Sequence, residues 1–267
     1  MSLSEAEIQA IASALLQAEQ SREQIELISL QHPDITLDDA YAIQKAQIEH
    51  KITAGRTILG WKIGLTSKVM QDALGITTPD SGVLYDDMLF TSGSVVPKDR
   101  FIQPRIEAEI AFVLKDSIPG NATREEVLDA TEYVTPAIEI LDTRVLRKDV
   151  ATGKPRVIYD TVSDNAANAG IVIGDARHDP REFDLRWVGA VVYAGDDVVA
   201  TGLGAAVLDD PVESVLWLSR RMETYSQSLE AGQIVLSGSF VAPIECPSGT
   251  SIVADFGSFS KVSVSFS

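Results

Sequence analysis

A single cysteine, Cys246, in a chain of 267 residues leaves no partner for an intrachain disulfide, no Cys-rich zinc site and no dithiol redox pair. A reducing cytoplasm is the expected compartment. Positive charge is also scarce: 22 Lys+Arg stand against 39 Asp+Glu, a net charge of -17 that repels phosphate backbones and anionic lipid surfaces. Neither nucleic acid nor membrane is an expected partner. No run of 18 apolar residues occurs, and Met1 to Glu7 lacks the basic and apolar regions of a signal peptide. His32, His50 and His178 lie far apart and no G-x-S-x-G elbow is present, so zincin and triad-hydrolase chemistry lose support. Gly202 to Val207 lacks the last glycine of a dinucleotide fingerprint, and Trp61 follows Gly60 where a phosphate loop needs lysine. Any chemistry therefore falls to carboxylates, lysines and a hard metal.

What the chain does have is an ordinary globular balance, 45% hydrophobic and 23% charged residues, enough to bury a sizeable core. Ser4 to Glu7 reads as a capping box. Ile8, Ile11, Leu15 and Leu16 then recur at helical spacing, which predicts an amphipathic helix over the first ~25 residues, ending near His32-Pro33. Thr36 and Asp39 open a second helix that stops at Gly55. A strand is expected over Thr57–Gly64, a short helix over Ser67–Leu74, and a turn at Thr77–Gly82. From Ile106 onward strand patterns dominate, at Ile106–Leu114, Val134–Leu141, Ile171–Ile173, Trp187–Tyr193 and Val198–Thr201. Helices interrupt them at Thr123–Tyr133 and Asp210–Tyr225, the latter with Pro211 in its first turn. The expectation is an α+β chain, with a helical N-terminal region over 1–56 leading into a β-rich domain over 57–267.

Strand alternation puts Glu107 and Glu109 on one face, with Ile106, Ile110, Phe112 and Leu114 on the other. Spacing alone fits either the wet face of a half-buried strand or an acidic site. Glu139 lies between Ile138 and Ile140, where an unpaired carboxylate is costly and a cation would remove the cost. Three carboxylates, with water in the remaining positions, describe an octahedral oxygen site for Mg²⁺ or Mn²⁺. Lys62, in an apolar strand flanked by Gly60 and Gly64, is either a snorkelling lysine or a proton-transfer group whose ammonium form a nearby cation would disfavour. Asp80 is either a turn-former or an acid-base group.

Taken together, Gly60 to Ser67, Pro79 to Gly82, Pro104 to Glu109, Pro136 to Arg144 and Asp160 to Ala166 resemble the 2-oxopent-4-enoate hydratase/4-oxalocrotonate decarboxylase family of the fumarylacetoacetate hydrolase superfamily. The resemblance spans essentially the whole chain. It implies a mixed β-roll core, a Mg²⁺ site at Glu107, Glu109 and Glu139, and acid-base roles for Lys62 and Asp80. Arg105, Ser163, Asp164 and Asn165 are implied on the substrate side. The family's homo-oligomeric assembly and small-molecule dienoate substrates are expected here too. Ser81 departs from the family's usual aromatic residue, and Thr143 from its usual serine. Decarboxylase members would use the same ligands, whereas a non-catalytic partner subunit would have no use for the buried charge.

The basic insert after Arg144 and the run from Ser163 to Gly170 most resemble the family members that hydrate 2-oxohept-4-ene-1,7-dioate in homoprotocatechuate breakdown. Arg144, Arg147, Lys148, Lys154 and Arg156 stand there against Asp149 alone. The insert reads as a loop that begins just past the Glu139 segment. It is either a solvated basic surface or a receptor for a second carboxylate, taken by one or more of Arg144, Arg147 and Arg156.

Overall fold

The computed structural model describes residues 2–68, 71, 76–225 and 227–267. The helix expected over Ser67–Leu74 lies in part outside the described residues. Helix α1 (Glu5–Ser21) opens on the anticipated capping box, Ser4 and Glu7 each bonding the other's backbone N–H. It stops earlier than its periodicity suggests. Arg22 turns left-handed (φ 65) with its N–H on the Ala18 carbonyl, and Ile25 then pairs with Val145. Tertiary pairing overrides local propensity here. Helices α2 (Ile28–Gln31) and α3 (Leu37–Thr53) follow, the latter capped by Thr36 and Asp39. Ile8, Ile11, Leu15, Leu27, Ile28 and Ile43 bury together, and this cluster also takes in Val145 from beyond the sheet.

Strands β1 (Ile58–Gly64), β2 (Asp80–Tyr85), β3 (Leu89–Thr91), β4 (Ser94–Val96), β5 (Arg105–Leu114), β6 (Thr131–Leu141) and β7 (Asn168–Ile173) form the first part of the β structure. Helix α4 (Arg124–Ala130) precedes β6 and α5 (Ile158–Ser163) precedes β7. The helix predicted over Thr123–Tyr133 gives way at Thr131, where a β-branched residue and an aromatic at Tyr133 suit the strand. Next come β8 (Gly189–Ala194), β9 (Asp197–Leu203), α6 (Pro211–Thr224), β10 (Ile234–Ser239), β11 (Ile244–Glu245), β12 (Ser251–Asp255) and β13 (Lys261–Phe266).

The larger sheet runs β2-β1-β10-β5-β6-β7-β3, with β11 on the end of β5. The smaller runs β4-β13-β12-β8-β9. Pairing is mixed: β1 and β10, β3 and β7, and β4 and β13 are parallel, and the other ladders are antiparallel. The fold is α+β. Strand β2 also packs beside β7, so the large sheet curls on itself. One of its faces carries Trp61, Ile63, Val83, Ile106, Ile110, Phe112 and Ile138 into the main core. The other carries Leu84, Ala111, Val113, Ala137, Ile171 and Leu236 as a smaller apolar cluster. Glu107, Glu109 and Glu139 share this second face. Among the described residues no helix is long and apolar enough to cross a membrane.

Candidate active site

The β5–β6 register sets Glu107 directly opposite Glu139, and Glu109 opposite Ala137. Side chains two apart on one strand and one across from it converge, so one carboxylate oxygen from each of the three lies within 4.8 Å of the others. Glu109 and Glu139 are wholly buried and Glu107 is half-buried, so this is not the wet face of a strand. The bulge in the β5–β10 ladder, between Leu236 and Ser239, turns Gly238 to φ +115, and its N–H donates to Glu109 Oε2 at 2.8 Å. A β-carbon at Gly238 would lie 2.4 Å from Thr66 Oγ1.

Glu109 Oε1 and Glu139 Oε2 are buried without a hydrogen bond among the described residues. Burial, and then the neighbouring carboxylates, push Glu107 up to about 8 and Glu109 well above the usual range. Burial also raises Glu139. Three converging acids with orphaned oxygens are costly unless they are protonated or neutralised by a cation. An all-oxygen set of this kind fits a hard divalent ion.

Lys62 extends from β1 toward the same cluster, its Nζ 3.5 Å from Glu139 Oε1 and 4.0 Å from Asp80 Oδ1. It donates to the Ala166 carbonyl at 3.1 Å. Burial opposes its charge, but Glu139, Asp80, Glu107 and Glu109 together outweigh this and hold Lys62 above the ordinary lysine range. Without a cation the ammonium is thus favoured. Asp80 opens β2 and is buried, not a solvated turn residue. Burial raises its pKa against the pull of Lys62 and Arg156. Gly64 leaves room between them: a β-carbon there would sit 2.3 Å from Asp80 Oδ1 and 2.8 Å from Lys62 Nζ and would displace one or both groups.

Beside Asp80, the Ser81 N–H donates to the Tyr41 hydroxyl of α3 at 3.3 Å. The Arg221 guanidinium lies 3.7 Å from the centre of the Tyr41 ring. Tyr41 and Arg221 carried no sequence signal; α3 brings an aromatic to the position where Ser81 departs from the family pattern. Ser163 Oγ is buried and has no hydrogen-bond partner among the described residues.

Arg144, Asp164 and Asn165 are held by bonds within the protein. Arg144 is buried, with its backbone N–H and Nε on the Asp164 carboxylate at 2.8 and 2.5 Å. Its Nη2 donates to the Asp164 carbonyl and its Nη1 to the Asn168 carbonyl. The Arg144 side chain thus bonds Asp164 and Asn168, and both Asp164 carboxylate oxygens accept from Arg144. Asn165 accepts from the Val83 N–H at 2.8 Å and donates to the Val83 carbonyl at 2.9 Å, stitching β2 in place.

The rest of the basic insert forms a tight hairpin, with Asp149 N–H on the Lys154 carbonyl and Arg156 N–H on the Arg147 carbonyl. Lys148 and Lys154 face solvent. At the hairpin base Arg147 bonds Glu245 Oε1 at 2.9 Å, and Arg105 bonds the same oxygen. Arg156 donates only to Thr143 Oγ1, at 2.9 Å, and pairs with no carboxylate among the described residues. Burial, together with the guanidiniums of Arg147, Arg105 and Arg144, disfavours its charge more than Asp164 supports it. The charge of Arg156 also favours ionised Asp80. A guanidinium with no carboxylate partner among the described residues is a ready receptor for an anion.

No family model matches the chain. A 2-oxo-hept-4-ene-1,7-dioate hydratase from Escherichia coli is 48% identical over 257 residues, covering 96% of each chain. A 2-keto-4-pentenoate hydratase from Paraburkholderia xenovorans is 41% identical over 228 residues, 85% of this chain and 82% of that one. Among solved structures, a 4-oxalocrotonate decarboxylase from Pseudomonas putida G7, complexed with magnesium and adipate, superposes with a TM-score of 0.92 at 30% identity. It covers 100% of this chain and 99% of its own. A fumarylpyruvate hydrolase from Pseudomonas aeruginosa shares the fold at a TM-score of 0.57 and 13% identity. Sequence and superposition agree over nearly the full length: the chain belongs to the 2-oxopent-4-enoate hydratase/4-oxalocrotonate decarboxylase family.

Proposed function

We propose that the chain is a divalent-metal-dependent hydro-lyase that converts 2-hydroxyhepta-2,4-diene-1,7-dioate to 4-hydroxy-2-oxoheptane-1,7-dioate in the breakdown of an aromatic compound. The observation that carries this reading is the convergence of half-buried Glu107 and buried Glu109 and Glu139 beside the buried Lys62 and Asp80, with Arg156 lacking a carboxylate partner among the described residues. Glu107, Glu109 and Glu139 would hold Mg²⁺ or Mn²⁺, which when bound supplies a Lewis acid for the C1 carboxylate and C2 oxygen. Lys62 and Asp80 move protons: the hydroxyl proton leaves O2 and a proton arrives at C5, giving the conjugated 2-oxo-3-enoate. Water then adds at C4 and a proton at C3. Lys62 Nζ lies 4.0 Å from Asp80 Oδ1, both are buried, and burial keeps Asp80 prone to protonation, so the pair can carry the proton that shuttles. The unpartnered Ser163 hydroxyl is available to orient substrate or water. Arg156, with Arg105 and Arg147 behind it, takes the distal carboxylate.

The P. putida structure supports a second reading, in which the same residues serve loss of carbon dioxide. One experiment separates the two. The seven-carbon dienoate and, in a parallel arm, 4-oxalocrotonate are each supplied with Mg²⁺ while ultraviolet absorbance and carbon dioxide release are followed together. The second substrate is needed because loss of the dienoate's C7 carboxylate would leave a carbanion not conjugated with the C2 carbonyl. Loss of diene absorbance with no carbon dioxide from 4-oxalocrotonate is expected. Stoichiometric carbon dioxide from 4-oxalocrotonate, with the dienoate left unchanged, would establish the decarboxylase, and no metal-dependent turnover of either kind would refute the proposal.

A further inference from the structure

Two of the site's groups, Lys62 and Glu139, accept or donate a hydrogen bond within one short turn to which the reaction assigns no task. Asn165, Ala166 and Ala167 have φ of +51, +52 and +57. A left-handed backbone is sterically disfavoured for every residue bearing a β-carbon. Three in succession persist only where the surroundings over-determine them. Arg144 supplies that constraint by bonding both ends of the turn: the carboxylate and carbonyl of Asp164 on one side, the carbonyl of Asn168 on the other.

From the turn so held, the Ala166 carbonyl accepts from Lys62 Nζ at 3.1 Å, and Asn168 Nδ2 donates to Glu139 Oε1 at 2.8 Å. Asn168 is wholly buried. Its Oδ1 has no protein partner, and the residue borders a cavity of about 10 Å³, room for one water, together with Gln44, Gln47 and Arg144. The amide has one chemically sensible orientation, since turning it round would set an oxygen against the Glu139 carboxylate.

We propose that Asn168 is a positioning residue for Glu139, and that the turn Asp164–Asn168, clamped by Arg144, sets Glu139 and Lys62 relative to one another. The inference rests on the reading of Glu139 as a metal ligand. With the amide in place, Oε1 is occupied and Oε2, which has no hydrogen-bond partner among the described residues, is left for a cation. Without it, the nearest donor to Glu139 is the Lys62 ammonium, 3.5 Å from Oε1, and the carboxylate is drawn out of the trio.

The test is calorimetric titration of Mn²⁺ into metal-free wild type, Asn168→Leu, Asn168→Ser, Glu139→Gln and Ile28→Ala, with the melting temperature of each. Ser is small and polar but too short to reach Glu139, so it keeps the test open where Leu fails to fold. Loss of the amide donor is expected to weaken Mn²⁺ binding about ten- to a hundred-fold. Ile28→Ala, in the helical layer, lowers the melting temperature and leaves Mn²⁺ affinity unchanged, which separates positioning from general destabilisation. Wild-type Mn²⁺ affinity in a folded Asn168 variant, with Glu139→Gln unable to bind, would overturn the inference. Wild-type affinity in Glu139→Gln would overturn the metal reading itself.

Discussion

Replacing Arg156 by Gln removes a guanidinium but keeps a side chain able to bond Thr143. In the wild type only Nη1 has a protein acceptor, and no carboxylate within 4.0 Å neutralises the group among the described residues. Arg105 and Arg147 already share Glu245, so each has less to offer an incoming anion. A desolvated, charge-assisted contact is worth roughly 1.5–3 kcal/mol, which is about a ten- to hundred-and-fifty-fold change in a rate constant ratio. A five-carbon 2-hydroxypenta-2,4-dienoate bound through C1 has no distal carboxylate and makes no such contact. The assay therefore compares kcat/KM for the seven-carbon dioate and the five-carbon acid in wild type and variant. The expected result is a loss of that size for the dioate with the five-carbon acid little changed. Equal losses on both substrates would mean that Arg156 serves Asp80 and not the distal end. An unchanged ratio would refute the role of the hairpin base altogether.

Glu139→Gln is isosteric but removes one of three negative ligands, so Mn²⁺ at a hundred times the wild-type dissociation constant should no longer raise the melting temperature. In the wild type that concentration stabilises by about 2.7 kcal/mol, roughly 5–11 °C for a chain of this size. A full shift in the variant would remove Glu139 from the ligand set. Lys62→Met keeps the packed stem and removes the proton carrier; it should bind Mn²⁺ and lose turnover, whereas loss of both metal and fold would make Lys62 structural. In the metal-free protein Glu107 titrates near 8, above its ordinary 4.5, so the folded state holds a proton that the unfolded state releases. This contribution to stability is complete below about 4.5 and is lost as pH rises through 8. Melting temperature in chelator should therefore fall between pH 5 and 8 while Mn²⁺ affinity rises. A melting temperature that climbs over that range would contradict the raised pKa.

Much of the site was legible because strands expose their chemistry with period two. Alternation alone put Glu107 and Glu109 together, and the apolar neighbours of Glu139 marked it as a carboxylate in need of a partner. The capping boxes at Ser4, Thr36 and Thr123 were equally local and equally readable. What escaped the sequence depends on which distant segment arrives. Arg144 read as one of a cluster of free cations because nothing in its own segment reveals that Asp164 folds back onto it. Asp80 looked like a turn residue, yet it leads a strand whose partner β1 carries Lys62. Tyr41 reaches Ser81 across 40 residues, and no periodicity reports that. Asn168 lay within a run that the sequence did single out, but only the bulge at the end of the β6–β7 ladder aims its amide at Glu139.

Helix α3 touches the site in a way that matters for recombining relatives. Gln44 donates to the carbonyls of Ser81 and Val162, and Gln47 to that of Ser163. A chimera joined between α3 and β1 would take these two glutamines from one parent and their acceptors from the other. Any offset in how the helix sits would leave buried carbonyls beside Asp80 and Ser163 without donors, at about 1–3 kcal/mol each. Crossovers that keep residues 37–53 with 80–85 and 158–168 from a single parent preserve the contacts, so the unit of inheritance for this active site is a set of three separated segments and not a contiguous stretch of gene.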